Sequence, residues 1–181
     1  MPLILALLGC FVATEAAGQI RVARLGVVNS LKDLGFTIQT VESGSSGFNS
    51  YSVLLNMDGV IGGEEPWPGA KVHWCHQEIL ASRSFEDFHC YFYLGGGTSG
   101  GFVRDFNKLH HSNSGIMASM TADAGVLLRY HGSIDIAIDW CAELGLHLRR
   151  DETYVKKLNL SWYANGLLQC WMPSLTIYYK F

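Results

Sequence analysis

At 181 residues, with 49% apolar and 12% aromatic side chains, the chain is large and hydrophobic enough for one folded domain with a real core. That composition excludes a disordered chain, and a net charge of -3 excludes a general nucleic-acid binder, which needs a basic face for phosphates. Twenty glycines against four prolines suit a β-rich chain with many tight turns.

The first 34 residues carry an apolar stripe at helical spacing: Leu5, Leu8, Val12, Ala16, Ile20, Ala23, Val27, Leu31 and Leu34. Gly35 follows where a helix stops, and Lys32 suits a last turn. The spacing predicts one long amphipathic helix over residues 1–34. A signal peptide cleaved after Ala16 competes with it, as does a lipoprotein box at Leu7-Leu8-Gly9-Cys10. No Lys or Arg precedes the apolar start, and the stripe runs through the cleavage point, which favours a retained helix. Glu15, Arg21 and Arg24 break the apolar run, so a single lipid-surrounded span is not expected. At ~1.5 Å per residue such a helix reaches about 45 Å. It would cross a bilayer core if Glu15, Arg21 and Arg24 lined a water-filled pore.

Residues 35–181 read as a β body. Strands are predicted over Phe36–Glu42, Phe48–Met57, Ala70–Leu80, Glu86–Leu94, Gly115–Met120, Gly125–Tyr130, Ser133–Ala142, Thr153–Trp162, Leu167–Met172 and Ser174–Phe181. The clearest is Ser133–Ala142, where Ile134, Ile136, Ile138 and Trp140 alternate with Asp135, Ala137, Asp139 and Cys141. Leu175, Ile177, Tyr179 and Phe181 repeat that pattern. Asn165-Gly166 is the strongest hairpin signal. Many short strands at regular spacing indicate a sandwich or barrel, and a single-domain β-sandwich is the fold expected. Residues 95–113 read as its one long irregular segment.

Sites of chemistry are few. The glycine run Gly95 to Gly101 lacks the Lys-Ser/Thr pair of a phosphate loop and reads as a flexible loop. His73 and Cys75 share a strand face and offer two metal donors, with His76 on the other face, so no metal or cofactor is expected. Asp135 and Asp139 would lie about 13 Å apart on a solvated sheet face, too far for a hydrolytic pair. No nucleophile elbow is present, and an enzyme is not expected. The five cysteines read as buried apolar thiols, with one disulfide among Cys75, Cys90, Cys141 and Cys170 left open for a secreted chain. The aromatics say more. Trp67 in Pro66-Trp67-Pro68-Gly69, with Trp162, Tyr163, Trp171, Tyr178 and Tyr179, forms a set suited to a membrane–water interface.

Three stretches carry a family resemblance. They are Val22–Leu34 running into Gly35–Ser50, then Pro68-Gly69-Ala70-Lys71-Val72, and Arg149-Arg150-Asp151 with Tyr154 and Leu158. Together they make the chain resemble the actinoporin-like pore-forming proteins. The resemblance implies a membrane-binding β-sandwich toxin whose N-terminal helix detaches and lines an oligomeric pore, with Tyr154 on a choline headgroup. The function expected is therefore a pore-forming or lipid-binding protein, secreted or membrane-associated. Its partners would be a lipid membrane and further copies of itself. The alternatives are a structural subunit of a self-assembling particle and a secreted β-sandwich binding module.

Overall fold

A computed structural model of the chain describes residues 20–42, 46–63, 65–105, 113–151, 157–163, 166–167 and 171–181. Their strands are β1 (Ile20–Asn29), β2 (Asp33–Glu42), β3 (Gly47–Asn56), β4 (Gly69–Ser84), β5 (Phe88–Asp105), β6 (Asn113–Tyr130), β7 (Ile134–Asp151), β8 (Lys157–Trp162) and β9 (Ser174–Lys180). A four-residue helix, α1 (Asp58–Ile61), lies between β3 and β4. Each strand from β1 to β7 pairs antiparallel with the next, and β9 joins β7 to β1. The sheet thus closes on itself as an eight-position barrel. The eighth position is shared: β9 pairs with β7 at Ile134 to Asp139 and β8 pairs with it at Leu146 to Asp151.

The fold replaces the sandwich and the long helix. Residues 20–34 form β1 and the start of β2, joined by a tight turn whose Ser30 hydroxyl accepts the N–H groups of Lys32 and Asp33 at 3.2 and 2.9 Å. The helical spacing was real but coincidental. Val22, Val27 and Val28 are β-branched, and a strand partner outweighs a weak helical preference. Residues 1–19, including Glu15, lie outside the described residues. The glycine run is no loop, because Gly95 to Gly101 lie within β5, hydrogen-bonded to β4 on one side and β6 on the other. The two strands expected around Asp123 are one continuous β6. Residues 166–167 are helical, and the Asn165-Gly166 hairpin expected between Thr153–Trp162 and Leu167–Met172 falls largely outside the described residues.

The polarity of this barrel is inverted. Outward positions are apolar, among them Leu25, Val27, Phe36, Val53, Val72, Trp74, Leu94, Met120, Leu144, Leu146 and Ile177. Inward positions carry Arg24, Gln39, Lys71, Ser99, Ser119, Asp123, Asp135, Glu143 and Thr176, all buried. Two small apolar clusters also lie inside. Phe48, Tyr93, Leu127, Ala137 and Tyr178 gather toward the end with the short turns, and Val103, Met117 and Tyr163 toward the other.

Inward glycines make room for the two tyrosine rings of the first cluster. A Cβ at Gly26 would stand 2.6 and 2.8 Å from Tyr178 ring carbons, and one at Gly125 2.6 Å from the Tyr93 ring. Gly26→Ala is expected to destabilise the barrel by about 1–3 kcal/mol through overpacking. That loss should shrink when Tyr178→Ala is present as well, as read by a double-mutant cycle of urea unfolding in detergent micelles.

Candidate functional site

Because the outer face is apolar, the chain's buried chemistry is concentrated in the interior. Lys71 on β4 holds its ammonium 2.9 Å from Asp33 on β2 and 3.4 Å from both oxygens of Glu143 on β7. Ser99 on β5 donates to Glu143 at 2.9 Å and shares a 2.7 Å hydrogen bond with Ser119 on β6. Five strands are therefore braced across the lumen by one network. A charge in such a place is stable only when paired, since an isolated ion loses its hydration without replacement.

A second network joins the closing strands. Arg24 on β1 donates through Nε to Asp135 on β7 at 2.7 Å and through Nη1 to Gln39 on β2 at 2.8 Å. Gln39 passes a hydrogen bond to the Tyr178 hydroxyl on β9 at 2.9 Å. Arg129 and Lys180 stand 3.8 Å from the same Asp135 carboxylate, which is 0% exposed. Nearby, the hydroxyls of Tyr93 and Thr176 both donate to Asp139. Between the networks lies a cavity of about 90 Å³, lined by Asp33, Lys71, His73, Asp123, Cys141 and Glu143 among others. It has room for a few waters or a small ion.

The residues singled out in the sequence scatter over this frame. Trp67, Trp162, Trp171 and Tyr179 are exposed, with Trp162 and Tyr179 on outward strand positions. Tyr163 and Tyr178 are buried inside the barrel instead. Arg24 also faces inward, in a strand and not a helix. Arg21 lies in β1 opposite Val41, and Tyr154 lies outside the described residues. Asp135 and Asp139 occupy the inner face of β7, not a solvated one. Lys71, Asp33, Glu143 and Asp123 went unnoticed as functional residues. Their signal was available as isolated polar residues recurring at every second position within otherwise apolar strands.

These features define a class, a closed eight-stranded antiparallel barrel with an apolar exterior and a charged, side-chain-filled interior. The crystal structure of the N-terminal β-barrel domain of Pseudomonas aeruginosa OprF shares this fold, at a TM-score of 0.54 and 10% identity, covering 91% of this chain and 98% of that one. This match, with the closed ring of strand pairings, overturns the actinoporin-like resemblance and the toxin reading attached to it. No protein-family model and no curated protein matches the chain by sequence.

Removing the cation from the central network should expose its dependence on pairing. Lys71→Met is expected to destabilise the fold by about 3–5 kcal/mol, because Asp33 and Glu143 are left buried without their cation. Adding Asp33→Asn and Glu143→Gln should recover most of that loss, as measured by guanidinium unfolding in micelles.

Proposed function

We propose that the chain is an outer-membrane-type β-barrel that crosses a lipid bilayer with its strands and keeps its lumen plugged by ion-paired side chains. The observation that carries this reading is the inverted polarity. In water a belt holding Met120 at 74% exposure and Leu144 at 54% has no reason to exist; in lipid it is the required surface. The strands, from 6 to 18 residues long, include seven of 10 or more, against the about 9–11 that a tilted crossing needs.

Aromatic side chains support the same placement. Phe85, Tyr130, Tyr179 and Phe181 are exposed toward the end with the short turns, and Trp67, Phe102, Trp162 and Trp171 toward the other. Two such girdles mark the two interfaces of a membrane barrel. The short connections 85–87 and 131–133 lie where β1 begins and β9 ends, and the longer 57–68 lies at the opposite end beside the three-residue 30–32 turn. By the rule that periplasmic turns are short and external loops long, the first end faces the periplasm. Among the described residues no helix is long and apolar enough to cross; on this reading the strands take the membrane role that the sequence assigned to a helix.

The bracing of Lys71, Glu143 and Asp33 across the lumen supports an anchor with a closed interior over a wide pore. A single substitution tests the placement. Met120→Arg, at mid-strand on the outer face, is expected to destabilise the barrel in lipid vesicles by about 2–4 kcal/mol. In a water-soluble barrel the same exposed change would stay within about 0.5 kcal/mol, and that result, from denaturant titrations in vesicles, rejects the proposal.

A further inference from the structure

We propose that the barrel interior binds a zinc ion through His73, Cys75, Asp123 and Cys141. Two of these donors share the inner face of β4, and the fold adds one each from β6 and β7. The donor atoms of His73, Cys75 and Asp123 all lie within 4.8 Å of one another. A tetrahedral zinc with bonds of about 2.0–2.3 Å sets its ligand atoms roughly 3.3–3.8 Å apart. Small side-chain rotations therefore suffice to close the site.

The strand between them is what lets these side chains meet. Gly95 and Gly97 of β5 sit between β4 and β6, with Gly95 opposite Gln77 and Asp123, and Gly97 opposite Cys75. A Cβ at Gly95 would stand 3.0 Å from the Cys75 sulfur. The glycines thus clear a path over β5 by which donors from β4 reach Asp123. Cys141 lies outside that 4.8 Å group, but it is the direct partner of Asp123 across the β6–β7 ladder and lines the same cavity as His73 and Asp123, so a side-chain rotation would bring it in as the fourth ligand.

Asp123 shows what is missing. Its side chain is 3% exposed, and no well-formed hydrogen bond reaches either carboxylate oxygen. His73 Nε2 stands 3.6 Å away and instead bonds the Thr121 hydroxyl at 3.1 Å. Cys75 makes a 3.6 Å sulfur contact to the His76 carbonyl, which a metal bond would replace. Nitrogen, sulfur and carboxylate donors at tetrahedral spacing suit zinc better than calcium or magnesium. On binding, each thiol releases its proton to solvent as its sulfur becomes a ligand. The Cys75 thiolate and Asp123 balance the two positive charges, and Lys71 lies within electrostatic reach of the second thiolate at Cys141. The cavity lined by His73, Asp123 and Cys141 gives the ion a way in.

The test uses the full chain, folded in detergent micelles under reducing conditions, with Co²⁺ as the probe and Zn²⁺ as competitor. One Co²⁺ per chain is expected, displaced by Zn²⁺, with sulfur-to-cobalt charge-transfer absorption. Cys75→Ser and Cys141→Ser should each reduce that absorption by about half. Asp123→Asn should weaken binding at least ten-fold, and Cys90→Ser should leave it unchanged. No charge-transfer band, or bands unaltered in both serine variants, overturns the proposal. Zinc X-ray absorption on the unaltered chain decides the matter without relying on variant folding. Two sulfurs at about 2.3 Å support the site, and an oxygen–nitrogen shell without sulfur overturns it.

Discussion

Closure of the hydrogen-bonded ladder is the constraint on which the rest of this structure depends. With β1 bonded to β2 and β9, and β7 to β6, β8 and β9, these central strands present no open edge along their paired lengths. Backbone groups are then satisfied within the wall, and side chains are released from the usual rule of apolar inside and polar outside. The outer row can become wholly apolar, as on β7 from Ile134 to Leu148, and the inner row can take charges. An open sheet of the same sequence would leave unpaired N–H and C=O groups beside a greasy face.

Filling a narrow barrel with charges then imposes a second requirement, that most of them find partners across the lumen. Lys71 meets Asp33 and Glu143, and Arg24 meets Asp135. Glycine supplies the space. The inward residues of β5 run Gly95, Gly97, Ser99 and Gly101, so side chains from β4 and β6 lean over that strand instead of stopping at it. The bare stretch of wall is what allows both the Glu143–Ser99–Ser119 brace and the gathering of His73, Cys75 and Asp123.

The sequence revealed the strands better than their sides. Period-two alternation located β9 and the first half of β7, which runs on to Asp151, and Ile134, Ile136, Ile138 and Trp140 do share one face. Periodicity says nothing about which face meets a core, however, and Asp135 lies at the buried side while Trp140 lies at the exposed one. The glycine run misled because a residue without a side chain has little strand preference of its own, and two neighbouring strands supplied the order. Over residues 20–34 a helical spacing and a two-residue alternation coexist, and only the partner strands decide between them. Which interior charges pair with which was invisible for another reason. Lys71 and Glu143 are 72 positions apart, and nothing local joins them.

The wall is not of even height, and this has a consequence for the surroundings. On β7 the outward row runs through Ile134, Ile136, Ile138, Trp140, Ala142, Leu144, Leu146 and Leu148, about 46 Å along the strand. On β3 the apolar part of that row, beyond Asn49, is Tyr51, Val53 and Leu55, about 13 Å. The barrel is a wedge. Set in a lipid sheet of uniform thickness, it must lean its axis or compress the lipid beside β1 to β3, so that flank becomes a local thin spot. In such a sheet, strain of that kind would be relieved by shorter lipids beside that flank.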